Sequence, residues 1–448
     1  MRSINPARAL MTPSVTIPWI ARGQADLPLI VVASVIAMFA SIAVATGSGL
    51  VMRVAAAVVC VAAISLLFAW TKHLELALYS LIPLMTVVRV EPAPPDFVTV
   101  GLIGALAIRG ELWKFRPPRM VTVAFVLLVL VHIPGLLIAA DRGTAERFTA
   151  ATFLVMAIAY VVFQLASRDP RHAGGAYVLA AVILGVETLI AMAPLPIAAG
   201  LRMDQFRVEG LFKDPNVFGP FAVPAVVLLT AGRPALPWAL RAVAFVLAVI
   251  SIPASLSRGA IIVLVAALLV LAAVSALRRW RGAFATSAGI LVAGFIGLVI
   301  FISRPGSSIA EERLSLGAQL YDAQRFEGQL AGLKEFLAHP LSFGIGPGQY
   351  DGIIGQPSHE TYLRTLVELG PLSLVALVLL LWASIRLIRR PDLLTVAWSA
   401  CVIGFATYGF FIDILHWRHF WVVLAVPLAI DAWHGRRSTG TPTEAATS

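Results

Sequence analysis

Charge is what this sequence has least of. Asp, Glu, Lys and Arg make up 13% of its 448 residues against 59% hydrophobic residues, and the mean hydropathy is +0.89. So little polar material cannot cover a soluble domain, which excludes a soluble globular enzyme and implies a polytopic membrane protein. Cysteine is almost missing. Cys60 and Cys401 each fall inside an apolar run, which argues against a disulfide framework or a thiolate metal site. The sequence also lacks a GxxxxGK[ST] phosphate loop, an HExxH, a GxSxG and an Asp-x-Asp pair. Nothing therefore points to nucleotide hydrolysis, a zinc protease, an α/β-hydrolase or a metal-dependent sugar-nucleotide enzyme. Glu311 and Glu312 are adjacent, so in a helix or a strand they point apart rather than at one ion.

What is there is a series of apolar runs punctuated by arginine. Taking about 20 apolar residues per crossing, spans fall near 27–46, 51–70, 74–88, 97–109, 120–140, 148–166, 174–193 and 216–231. Others fall near 238–255, 259–277, 284–302, 362–385, 394–412 and 419–432. The third and fourth are short and flank Pro92, Pro94 and Pro95. The net charge of +10 is carried mainly in short connections: Lys114–Arg119, Arg168–Arg171, Arg278–Arg281, Arg386–Arg390 and Arg436–Arg437. Such placement suits lipid headgroups, so membrane lipids are the expected partners and nucleic acid is not. By the positive-inside rule those connections are cytoplasmic and both termini lie inside.

The expected fold is all-α: a polytopic transmembrane bundle of about 12–14 helices with a long outer loop that contains an amphipathic helix. Residues 1–26 are read as a cytoplasmic tail and 27–432 as the transmembrane domain, including outer loops at 194–215 and 303–361. Residues 433–448, rich in Thr, Ser and Gly, are read as a disordered cytoplasmic tail. Arg2, Arg8 and Arg22 precede the first apolar run. That run exceeds a signal-peptide core of about 7–15 residues, so it is read as an uncleaved first helix.

Three outer stretches carry the candidate chemistry. The first, RVEGLFKDPNVFG, places Arg207 and Lys213 beside a helix that starts at Asp214-Pro215-Asn216. Asp-Pro-Asn is a helix-start signal, and two cations beside a helix N-terminus suit a phosphate group. The second is the turn Ser257-Arg258-Gly259; a lone arginine there snorkels to the headgroups and by itself supports no functional claim. The third is the segment 303–361, far longer than an ordinary connection. Within it Phe326, Leu330, Leu333 and Leu337 recur at helical spacing, giving an apolar face that lies on the membrane or caps the bundle, with Arg325 at its start. The stretch ends in PLSFGIGPGQYDGIIGQPSHETYLRTLVELG, residues 340–370. Gly344, Gly346 and Gly348 with Pro347 make a tight connection whose backbone N–H groups are free to face a ligand. His359 follows, just before an apolar helix beginning near Tyr362. Among the other histidines, His132 reads as a buried, bonded core residue, while His416 and His419 form a polar patch with Asp413 and Arg418.

In order, the sequence reads Arg207-x-x-Gly-x-x-x-Asp-Pro-Asn, Ser257-Arg258-Gly259, Arg325 ahead of His339-Pro340, Gly344-x-Gly346-x-Gly348, Ser358-His359 with Tyr362-Leu363, and Glu368-Leu369-Gly370. This set resembles the O-antigen ligase and O-antigen polymerase superfamily over residues from about 195 to 385; the first half matches only in hydropathy. The resemblance implies a GT-C-like helical glycosyltransferase in the bacterial inner membrane with its active site facing the periplasm. Its donor would be an undecaprenyl diphosphate-linked glycan and its acceptor another glycan or lipid A core. Arg207 and Arg325 match the family's diphosphate-binding arginines, and His359 matches its proposed catalytic base or diphosphate ligand. Glu360 stands where the family commonly has Asn, which bears on acceptor binding and on the histidine's basicity.

The residue chemistry agrees. An activated diphosphate donor needs no nucleotide, and neither a metal nor a cofactor is expected. Arginines stabilise charge on the leaving diphosphate, and a histidine of reference pKa about 6.5 takes the proton of an attacking hydroxyl. The site is thus expected to be His359 as base, oriented by Glu360, with Arg207, Arg325 and Arg258 on the diphosphate and Lys213 as a further cation. Ligase and polymerase share a donor and differ in acceptor, so the sequence leaves both open. A transporter is the alternative from another class. Ionisable residues are scarce at span centres, which counts against it. A cell-wall polymerase of the shape-and-division type suits the Arg and His motifs less well.

Overall fold

The computed structural model describes residues 25–47, 49–204, 207–231, 237–302, 320–338, 343–355 and 360–438. In chain order the helices are α1 Leu27–Thr46, α2 Leu50–Trp70, α3 Leu78–Leu84, α4 Pro94–Ile108, α5 Arg119–Ile138, α6 Arg142–Ala166 and α7 Arg171–Met192. Then come α8 Pro215–Ala231, α9 Trp238–Ala254, α10 Arg258–Leu277, α11 Arg281–Ile302 and α12 Leu320–Ala338. The last five are α13 Tyr350–Ile354, α14 Thr361–Leu369, α15 Pro371–Ile385, α16 Leu393–Tyr408 and α17 Arg418–Ser438. Among the described residues seven helices are long and apolar enough to cross a membrane, and six shorter segments are apolar as well. The all-α polytopic bundle is as the sequence implies.

Helices pack closely where small residues let them. A Cβ added at Gly101 or Gly104 of α4 would lie 2.4 Å from Ile64 Cγ2 or from Ser65 Oγ of α2, so only glycine allows that approach. The centre is α8, buried along almost its whole length around Pro220 and Pro224, with Trp398 and Trp421 of α16 and α17 fully enclosed nearby. On the rim, Phe39 of α1 and Val51 and Trp70 of α2 are exposed. In lipid such side chains are solvated, not stranded.

The charge pattern sorts the two ends. Arg278 donates to the carbonyls of Arg390 and Ile388, Arg436 to that of Ser167, and Arg168 pairs with Glu111 at 2.5 Å. Basic connections distant in sequence therefore meet at one end of the bundle. At the other end the long connections meet: Val208 N–H bonds Ala254 O at 3.0 Å and Thr361 N–H bonds Gly409 O at 2.8 Å. There too Arg418 grips Asp96 through two bonds of 2.6 and 2.7 Å.

Three boundaries differ from the sequence reading. The expected crossing at 74–88 is a 3-10 turn, Leu74–Ala77, followed by the short α3. The expected single helix from 362 to 385 is broken at Gly370, whose φ of 78° and following Pro371 stop α14 and start α15. The last helix continues to Ser438, past the expected boundary at 432.

Candidate functional site

The site is assembled at the loop end. Gly344, Gly346 and Gly348 all have positive φ, at 79°, 103° and 70°, a conformation only glycine adopts without strain. The backbone N–H groups of Gly346 and Gly348 are not offered to a ligand, which corrects the sequence reading for those two. Gly346 N–H bonds Glu368 O at 2.9 Å, Gly348 N–H bonds Glu368 Oε2 at 2.9 Å and Tyr350 N–H bonds Glu368 Oε1 at 3.2 Å. Ile345 N–H meets Val367 O at 3.0 Å. The glycine run is a cradle around the last turn of α14.

Glu368 is itself buried and paired. Arg364, one turn earlier, donates through Nε at 3.0 Å and also faces Asp413 at 3.5 Å and Asp351 at 3.6 Å. Its guanidinium carbon stands 5.1 Å from the Phe148 ring centroid. Burial alone would raise the Asp413 carboxyl, but the His416 ring, 3.7 Å away, and the Arg364 charge hold it below its ordinary value. His416 reaches Thr152 Oγ1 at 3.1 Å on its other side. The His416–Asp413 half of the expected patch is therefore real. His419 lies apart, buried among Phe221, Phe405 and Trp417.

Beside this network three separate connections bring cations together. Arg207 is buried; it donates from Nε to Ser255 O at 3.4 Å and from Nη2 to Asn216 Oδ1 at 3.5 Å. Asn216 Oδ1 also accepts from Ser257 Oγ at 3.2 Å. Asn216 is thus more than part of a helix start: it ties the α7–α8 connection to the Ser257 turn. Ser257 caps α10 by accepting from Ala260 N–H at 3.3 Å, which sets Arg258 as the first residue of that helix. Tyr408, at the end of α16, hydrogen bonds to Ser257 and lies within electrostatic reach of Asp214, Arg325 and Arg207. Nothing in the sequence motifs singled it out. The signal that existed was Gly259: a Cβ there would stand 1.8 Å from Tyr408 Cζ, so the glycine of Ser-Arg-Gly makes room for that ring. Gly259→Ala is expected to destabilise the protein by about 1–3 kcal/mol through overpacking, read as a lowered melting midpoint, and an unchanged midpoint would refute this packing account.

Arg325 arrives on α12. Gly328 and Gly332, three and seven residues later, are buried on the same side, and the Arg325 Nε is shut off from solvent. The opposite stripe of Phe326, Leu330, Leu333 and Leu337 is 66%, 43%, 40% and 63% exposed. The helix is amphipathic as read, with its polar and small face turned to the site.

The expected residues thus separate into groups. Arg207, Ser257 with Arg258 next to it, and Arg325 come to one locality around Tyr408. Lys213 is exposed and pairs with Glu91 at 2.6 Å, turned to a different partner from Arg207. Glu360 is the N-cap of α14: its carboxylate accepts from Tyr362 N–H at 3.0 Å and from Leu363 N–H. Burial raises its pKa, against the pull of those N–H groups. His359 lies outside the described residues. Among the described residues no group of three His, Cys, Asp or Glu side chains is arranged to hold a metal ion.

Residues 243–378 match the family model described as O-antigen ligase (Wzy_C). Over that segment, about a third of the chain, the sequence is similar to the O-antigen ligase family. The O-antigen ligase match takes in Arg258, Arg325, His359 and Glu360, together with the glycine cradle and Glu368. Arg207, Asn216 and Lys213 precede it. No curated protein matches the chain.

Proposed function

We propose that the chain transfers a glycan from an undecaprenyl diphosphate carrier to a hydroxyl acceptor at the periplasmic face of the bacterial inner membrane. The superfamily supports a membrane glycosyltransferase of the ligase or polymerase type. The observation that carries the finer reading is that Arg207, linked through Asn216 to the Ser257 turn, and Arg325, from a connection more than a hundred residues on, both lie within electrostatic reach of Tyr408. Two guanidinium groups at one membrane surface suit a diphosphate, which has more negative oxygens than a single cation can satisfy.

The step is a single displacement. The acceptor oxygen bonds to the anomeric carbon of the donor sugar, the bond from that carbon to the diphosphate oxygen breaks, and the configuration inverts. His359 takes the acceptor proton, and Arg207 and Arg325, with Arg258 at the start of α10, neutralise the departing diphosphate. Glu360, already bonded to the first N–H groups of α14, fixes the chain next to His359 rather than serving as a second base. Lys213, paired with Glu91, is left at the margin.

The test is transfer by purified protein from a radiolabelled undecaprenyl diphosphate oligosaccharide, in detergent with chelator present. Wild type is expected to release carrier diphosphate and move glycan to an acceptor, and both His359→Gln and Arg207→Ala are expected to lose this. Full transfer by His359→Gln at normal protein levels would remove the base assignment. No transfer by wild type with any acceptor would remove the glycosyltransferase reading. The product separates ligase from polymerase: glycan joined to lipid A core in one case, lengthened glycan in the other.

A further inference from the structure

α12 carries Arg325 into the site, and the side it turns to the bundle is made of glycine, Gly328 and Gly332. What it meets is Tyr350. That side chain is fully buried, and its hydroxyl donates to Gly328 O of α12 at 2.7 Å. A Cβ on Gly332 would stand 2.1 Å from the same hydroxyl and 2.7 Å from the ring, so the ring fills a notch that the missing side chain leaves. Tyr350 in turn is fixed from below: its N–H is held by Glu368 Oε1 at 3.2 Å. The neighbouring Gln349 side chain exchanges two bonds with the Asp141 backbone, of 2.8 and 3.0 Å. An unbroken line of contacts thus runs from the bundle, through the glycine cradle, to the helix that bears Arg325.

We propose that Tyr350 is a positioning residue: a peg, seated in the notch at Gly328 and Gly332, that docks α12 on the bundle and so holds Arg325 in place over the site. This rests on the glycosyltransferase reading for its kinetic consequence and not for its structural one. The outer stripe of α12 is apolar and exposed, so the helix has a second surface to rest on, the membrane, once the peg is removed. Arg325, Gly328 and Gly332 lie on one side of the helix, so undocking that side carries the guanidinium away from Tyr408 as well.

Two measurements test this. The first needs no substrate: nitroxide labels on Glu327→Cys of α12 and Glu146→Cys of α6, with Cys60→Ala, report the distance between helix and bundle. Tyr350→Phe is expected to broaden or lengthen that distance, and Gly332→Val, which fills the notch, to do so further. An unchanged distance in both variants would overturn the peg. The second is kinetic. A single buried hydrogen bond is worth about 1 kcal/mol, so Tyr350→Phe is expected to raise the donor KM roughly fivefold with a much smaller change in kcat. In an Arg325→Ala background the same change is expected to have no further effect, because its action passes through Arg325. Additive losses would instead make Tyr350 a general structural residue and overturn the proposal. Absence of any transfer by wild type defeats the function while the label distances still decide the peg.

Discussion

Arg207→Ala is expected to lower glycosyl transfer by about two to three orders of magnitude, the usual loss when a positioned donor to a developing negative charge is removed. The protein should still fold. The guanidinium contacts to Ser255, Asn216 and Met203 are long, at 3.4, 3.5 and 3.7 Å, so they orient the side chain more than they bind the connection together. The connection is held instead by backbone: Val208 N–H on Ala254 O at 3.0 Å and Glu209 N–H on Leu201 O at 3.0 Å. Arg207→Lys separates charge from geometry. Lysine keeps the charge and loses the planar fork, so it should recover part of the rate and no more. The check is initial rate against donor concentration alongside a melting curve. A variant with wild-type turnover would show that the diphosphate is held elsewhere, and a collapsed melting curve would show that Arg207 is chiefly structural.

Glu368→Ala is expected to be the most destabilising substitution at the loop end, by about 3–5 kcal/mol, the range for breaking a buried ion pair from one side. Two losses coincide. The N–H groups of Gly348 and Tyr350 lose their acceptors, and Arg364 loses its nearest carboxylate. Glu368→Gln is the informative partner. It keeps the acceptor oxygen for one N–H and removes the charge, so it should cost less than alanine and more than a surface change. Urea unfolding in detergent followed by tryptophan fluorescence would show both. Equal stability of wild type and Glu368→Ala would mean that the cradle holds its shape without the carboxylate.

How much of this was legible beforehand depends on what each signal encodes. Apolar runs and arginine placement encode solvent preference, and they brought out the bundle and the grouping of basic connections, because lipid and water leave little choice. The amphipathic stripe of α12 is a property of one helix and could be read from spacing alone. The break at Gly370 is invisible to hydropathy because apolar content runs on through it; only the left-handed backbone at that glycine and the following proline end the helix. The glycine run reads as a special connection, but no local rule says that a carboxylate twenty residues away will claim its N–H groups. Tyr408 is hidden for the same reason. It meets the Ser257 turn only through the packing of α16 on α10, and nothing in its own neighbourhood in the chain announces that. Lys213 is close to Arg207 in sequence, but Glu91, brought over from another connection, competes for it.

The bare aliphatic stripe on α12 has a consequence for how any rate is measured. With Leu330 and Leu333 some 43% and 40% exposed on the far side of the helix from Arg325, the proposed function puts that stripe on the membrane surface and the mouth of the site beside acyl chains. A lipid-linked donor then arrives by diffusion in two dimensions, and its effective concentration is its mole fraction in the surface. Adding detergent at constant donor should slow the reaction as if substrate were being withdrawn, while enlarging the volume of the assay at a fixed donor-to-detergent ratio should leave turnover per molecule where it was.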